Sequence, residues 1–333
     1  MKTKTFTLDQ ISNPSESHVP FFVLGSQRSG TTLLRLMLHN HPNLAIPFET
    51  GFMTAFTRDA SFITPFHDRL SRYQNLKSRT QIESLLDEVI QFPFVRAGDL
   101  AIDKKAVLSR DVESYSGLID AIMKEYARSR GKQRWGDKTP EYTEDIDIIW
   151  RLFPGCKFIH LVRDGRDVVL RQLKVAFDDW FSKSLLVLAM RWAHKTTICH
   201  KVGSVLGPQF YLELRFEDLI QNPEPVLRRI CEFLGEPYSR QMLDYAKSPK
   251  SSVPQYEGDL DQHKVEAVHK HSFGELDRKM VNTWRTAMSK ADRIIFEENA
   301  GYALDLFNYE RERLPSSLSS KLKNLYYSTW VRY

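Results

Sequence analysis

The stretch FFVLGSQRSGTTLLR, residues 21–35, constrains the fold more than any other part of the chain. Phe21 to Leu24 is a short apolar run bounded by a turn, the pattern of a buried strand. Gly25 and Gly30 bracket a tight loop, and Thr31 to Leu38 reads as the helix that follows. A turn of this kind aims successive backbone N–H groups, backed by the positive end of a helix dipole, at a common point. That is a site for an anion. The nucleotide-triphosphatase pattern needs glycine, four residues, glycine, lysine and then serine or threonine. Here Gly30 is followed by Thr31 and Thr32, and the cation is Arg28, inside the loop. A kinase or ATPase uses the lysine against its terminal phosphates, beside a carboxylate-held magnesium ion. Its absence argues against both.

Strand-like runs alternate with helical patterns, which predicts an α/β fold: a P-loop-type parallel sheet flanked by helices. After the loop, residues 51–133 read as a mainly helical insertion, with TQIESLLDEVIQF and SYSGLIDAIMKEYARSR its clearest amphipathic stretches. QRWGDKTP is followed by a helix through Ile146 to Phe153; CKFIHLV and QFYLELRF are further strands. Helices are expected over Ser182–Val205, over EPVLRRICEFLG with its glycine stop, and from near Trp284. Residues 248–282 read as a long loop, and residues 1–19 and 315–333 as tails of one domain.

With 333 residues and 42% hydrophobic content the chain can bury a large core. Its 47 basic and 42 acidic residues leave a net charge of +5, which suits an anion pocket better than a nucleic-acid surface. Cys156, Cys199 and Cys231 show no metal-ligand spacing and read as buried thiols. No run approaches the ~20 apolar residues of a membrane span and the N-terminus shows no signal peptide, so the expectation is a cytoplasmic protein.

KFIHLVRDGRDVVLRQ carries the second anion signal, with Arg163 just past a strand and Arg166 and Arg171 on the next helix. At this point the sequence resembles the sulfotransferases that use phosphoadenosine phosphosulfate (PAPS). HNHPNLAIPFET, WGDKTPEY, ELRFEDLIQNPEPVLRRICEFLG and NTWRTAMSKAD resemble, in the same order, segments of the tyrosylprotein branch and its bacterial relatives. The likeness runs over about 270 residues. It implies that Ser26, Gln27, Arg28, Ser29, Gly30, Thr31 and Thr32 bind the 5′-phosphosulfate and that Arg163 binds the 3′-phosphate. Eight residues beyond Arg163 the family usually has serine; this chain has Arg171, which can pair with the same phosphate. Lys279 and Trp284 fall where the family's late loop closes over the nucleotide, although a core tryptophan explains Trp284 as well.

Sulfuryl transfer needs one base and several fixed cations. The resemblance implies Glu49 of IPFET as general base, with Lys138 of GDKTP and Arg28 against the sulfuryl group and the bridging oxygen. No metal is expected. From the residues alone, Glu49 reads equally as the cap of a helix starting near Gly51. Asp137 reads either as a partner that orients Lys138 or as half of a surface pair. His67, His160, His194 and His271 match no histidine-base motif, and His160, in mid-strand, reads as core. The expected acceptor bears a hydroxyl, less readily an amine, on a carbohydrate, a lipid or polyketide, or a peptide tyrosine. Phe52, Phe56, Phe62, Phe66, Phe92 and Phe94 wall its pocket or are plain core. Two other classes remain open: a kinase-like phosphoryl transferase and a nucleotide-binding module without chemistry.

Overall fold

The computed structural model describes residues 19–55, 76, 78–174, 184–247, 276–316, 318 and 321–322. Its centre is β1 (Phe21–Leu24), every residue of which is buried. β1 pairs in parallel with β3 (Arg134–Asp137), Phe22 opposite Asp137, and with β4 (Lys157–Val162), Leu24 opposite His160. β2 (Leu44–Ala45) lies outside β3 and β5 (Tyr211–Arg215) outside β4, so the order is β2-β3-β1-β4-β5, all parallel. A central parallel strand is buried on both faces, which is why FFVL is apolar without alternation. Its side chains still alternate in direction. Phe22 and Leu24 enter a core with Trp135, Phe153 and Phe158, whereas Phe21 and Val23 enter another with Leu34, Ile159 and Phe216.

α1 (Thr31–His39) covers one face with α10 (Phe216–Gln221) and α11 (Pro223–Leu234). The other face is covered by α2 (Phe52–Ala55), α3 (Arg79–Gln91), α6 (Tyr115–Ser129) and α7 (Ile146–Leu152). With α4 (Pro93–Ala97) and α5 (Lys104–Leu108), these give the described part of residues 51–133 its helical character. α8 (Gly165–Lys174), α9 (Leu185–Leu206), α12 (Trp284–Ala287) and α13 (Lys290–Leu306) build a third core around Trp192, Trp284 and Phe296. Of the expected long loop, residues 248–275 lie outside the described residues, and 276–282 contain a short 3-10 turn, Arg278–Met280.

Hydrophobic pattern alone reveals neither β2 nor β3. β2 is two residues long, and β3 begins and ends on charged residues. Arg134 is nevertheless buried because its guanidinium donates to the Val19 carbonyl at 2.8 Å and lies 3.4 Å from Glu236. The last helix is in two pieces: α12 ends at Met288, and Ser289 caps α13 by accepting from the Asp292 N–H.

Phe22 has no exposed surface and meets Trp135, Phe153 and Phe158 at centroid distances of 5.8, 5.9 and 5.9 Å. Phe22→Ala should therefore cost ~3–5 kcal/mol of unfolding free energy, read by denaturant titration, with the denaturant dependence unchanged.

Candidate functional site

At the carboxyl end of β1 the loop turns through Ser26 to Gly30. The Ser29 N–H closes the turn on the Ser26 carbonyl at 3.0 Å. Arg28 takes a left-handed conformation, φ 72°, and Gly30 a φ of 97°. A Cβ at Gly30 would lie 2.3 Å from the ring of Phe216, so only glycine lets the loop pass that close. No side chain among the described residues caps α1. The buried Ser29 hydroxyl also has no partner among them. Buried donors without acceptors at a helix N-terminus are the signature of an anion site.

Three arginines converge on this loop. Arg163 leaves β4, lies 4.4 Å above the Phe216 ring, and donates to the Arg28 carbonyl at 3.3 Å and the Met280 carbonyl at 2.6 Å. Its Nε has no partner among the described residues. Burial first, and then the charge of Arg171, hold its pKa down at about 10. Burial and the same Arg171 charge lower Arg28. Arg171 is itself lowered by burial, with Asp167 and Asp277 opposing. Arginines pressed together in this way gain from a bound anion. Arg166 plays a different part: it is buried between Asp164 at 2.8 Å and Glu297 at 3.2 Å, with its guanidinium 3.5 Å above Trp284. Trp284 is fully buried core.

On the other side of the loop, β3 ends at Asp137 and delivers Lys138, whose side chain is 0% exposed. Its ammonium donates to the Glu49 carboxylate and, at 3.3 Å, to the Thr32 hydroxyl. It also lies 5.3 Å from the centroid of the Phe48 ring. Glu49 keeps 20% of its side chain exposed, so it is the member of the pair that a second molecule can reach. The segment carrying Glu49 is held from both sides. Arg35 donates to the carbonyls of Ile46 and Pro47 at 3.1 Å, and Asp99 accepts the Phe48 N–H. From the sheet side, Thr139 accepts the N–H groups of Thr50 and Gly51 at 3.2 Å.

The structure thus gathers Ser29, Arg28, Gly30, Thr31, Thr32, Glu49, Lys138, Arg163 and Arg171 around one loop. Gln27 is at its exposed outer edge, bound to Glu141 at 3.0 Å, and Ser26 is buried beneath. Lys279 is exposed, and it is the carbonyl of its neighbour Met280 that reaches Arg163. Asp137 is fully buried, which rules out the surface-pair expectation. Glu49 caps no helix. His160 is buried and bonded to Tyr211 at 2.6 Å, and His194 is exposed on α9. His67, His271, Phe56, Phe62 and Phe66 lie outside the described residues. Phe216 and Arg35 were not singled out by sequence. An aromatic after a strand and an arginine inside an apolar helix look like ordinary core and surface until the sheet brings them to the loop.

The sequence profile of the sulfotransferase family matches residues 20–240, about two thirds of the chain, and the chain belongs to that family. A protein-tyrosine sulfotransferase of Drosophila melanogaster is 26% identical over 226 residues, 67% of this chain and 39% of its own length. Protein-tyrosine sulfotransferase A of Caenorhabditis elegans is 25% identical over 68% of this chain and 52% of its own. The chain thus spans about half, or less, of the length of these relatives. Among solved structures, the sulfotransferase domain of the Synechococcus PCC 7002 olefin synthase superposes with a TM-score of 0.58. It is 23% identical and covers 92% of this chain and all of that domain. The sulfotransferase domain of the curacin biosynthetic pathway gives 0.56 at 21% identity over 89% of this chain and all of its own. Both likenesses concern the fold. Among the described residues no helix is long and apolar enough to cross a membrane.

Burial pushes the Asp137 carboxyl up to about 7, against hydrogen bonds from Thr50 and Thr139. The unfolded chain releases this proton near pH 4 and the folded chain only near 7, so this group's contribution to stability falls as pH rises between the two. Asp137→Asn should lack that slope. Relative to wild type, the variant should gain a few kcal/mol between pH 4 and pH 7.5, measured by denaturant unfolding at stepped pH.

Proposed function

We propose that this chain, read as one domain over residues 1–333, is a PAPS-dependent sulfotransferase that transfers a sulfuryl group to a hydroxyl, with Glu49 as general base. One observation carries the reading. Lys138 bridges Thr32 of a loop with unpartnered anion donors and the partly exposed Glu49, so a base and a fixed cation meet at the mouth of the anion site. The donor set also fits PAPS in its division. The N–H groups of the loop, the Ser29 hydroxyl and Arg28 suit the phosphosulfate, and Arg163 with Arg171 suits the 3′-phosphate, with Lys279 on the covering segment. PAPS supplies the activated sulfuryl group. Glu49 accepts the hydroxyl proton as the acceptor oxygen bonds to sulfur. Lys138 and Arg28 neutralise the electron pair left on the phosphate oxygen as the old S–O bond breaks. These cations stand where a kinase places magnesium, so the reading requires no metal.

The exposed edge of Glu49 sets the side from which an acceptor enters, since Lys138 is closed to solvent. Two hydroxyl classes suggested by the names of the relatives and neighbours, peptidyl tyrosine and a polyketide alcohol, head a labelled-PAPS screen. Carbohydrate hydroxyls follow.

The nucleotide preference is testable without an acceptor. Adenosine 3′,5′-bisphosphate should bind far more tightly than ADP in calorimetry, and Arg163→Ala should erase most of that difference. Equal affinity of the wild type for both would overturn the PAPS reading. Once an acceptor is found, Glu49→Gln should lower kcat by ~10²–10⁴-fold while leaving bisphosphate affinity nearly intact. Turnover close to wild type would place the base elsewhere.

A further inference from the structure

Beneath the Glu49–Lys138 pair lies a closed chain of hydrogen bonds that the reaction itself does not use. Tyr142, in the 3-10 turn Pro140–Thr143, accepts the Met53 N–H at 3.0 Å and lies 3.1 Å from the Thr50 hydroxyl. Because that oxygen already accepts, its own proton points to Thr50. Thr50 in turn donates to one Asp137 oxygen at 2.7 Å, and Thr139 donates to the other at 2.9 Å. Thr139 is left as the acceptor for the Thr50 and Gly51 N–H groups. Every donor runs towards Asp137, and both ends of the chain are backbone next to Glu49. Asp137, Thr139 and Tyr142 have at most 1% exposure, as does Thr50, so water cannot take the place of a missing link.

We propose that Asp137 is a positioning residue: through Thr50 and Thr139 it locks the segment bearing Glu49 to the strand end bearing Lys138. The proposal rests on Glu49 being the base. Asp137 is adjacent to Lys138 in sequence and Thr50 to Glu49, so the two members of the reacting pair are fastened by their immediate neighbours. Two strand-end loops from different parts of the sheet have no covalent reason to keep a fixed separation. A carboxylate that accepts from both loops' hydroxyls at once supplies one. A displacement of about 1 Å at the base is enough to cost ~10²-fold in rate. Asp137 is too deeply buried to touch the acceptor, so it acts only through Glu49.

The test compares Asp137→Asn and Thr50→Val, each alone and combined with Glu49→Gln. Crystal structures of the single variants should show Glu49 withdrawn from Lys138, a readout that needs no acceptor. Glu49 unmoved in both would overturn the proposal. In kinetics each single variant should lose ~10–100-fold in kcat while calorimetric affinity for adenosine 3′,5′-bisphosphate stays within about threefold. In the Glu49→Gln background the same changes should cost nothing further in kcat, because the group they position is gone. A full additive loss in that background means a general structural role and sinks the idea. If wild type binds no bisphosphate, or Glu49→Gln is fully active, the reading of the reaction fails first, and the crystal structures still decide whether Asp137 holds Glu49.

Discussion

An ammonium group with no exposure to solvent has to be paired where it lies. Leaving a buried charge alone costs several kcal/mol, and Lys138 at the end of β3 is such a charge. Its partner, Glu49, comes from the loop that follows β2, at the sheet edge beyond β3. Much of the surrounding polar structure brings that loop within reach. Arg35 gives up its surface position to hold the Ile46 and Pro47 carbonyls, and Asp99 joins Arg35 to the Phe48 N–H. Tyr126 donates to the same Asp99 at 2.9 Å, which ties the helical insertion to the pair. The insertion therefore contributes to the reactive centre as well as to the core.

Positive charge in the site is sorted by its partners. Arg166 is bound on two sides by Asp164 and Glu297 and stacked on Trp284, so its charge is consumed in joining α8 to α12 and α13. Arg163, three residues earlier, is aimed at the loop, with Asp167 no nearer than 3.7 Å and Phe216 beneath it. Asp167 in turn accepts the Thr283 hydroxyl at 2.6 Å and the Trp284 N–H at 2.8 Å, fastening the end of the late segment beside Arg163. Neighbouring arginines on one helix thus perform opposite tasks: one is a structural bolt, the other an anion receptor.

The strand–loop–helix at residues 21–40 was legible because local chemistry specifies it: an apolar run, two glycines and an amphipathic helix. Helices α6, α9 and α11 and strands β4 and β5 were legible for the same reason, periodicity that reflects burial. β3 was not, because a strand beginning with Arg134 and ending with Asp137 acquires its burial only through partners distant in sequence. The side-chain partners of Asp137 were likewise hidden. Asp, Lys and Thr in a row look the same on a surface as at the bottom of a site.

By itself, the sequence determined the class of fold, the existence of an anion loop without its lysine, and the short segments in which Glu49, Lys138 and Arg163 stand. Those properties depend on neighbours within a few residues. Tertiary structure decided which charges meet. Lys138 and Glu49 are 89 residues apart, and Arg163 and Arg28 are 135 apart. Only parallel strand pairing places the ends of β1, β3 and β4 on one edge. That common edge turns Arg166 into structure, gives Phe216 its place under Gly30, and buries Asp137 where its two oxygens join the loops of base and cation.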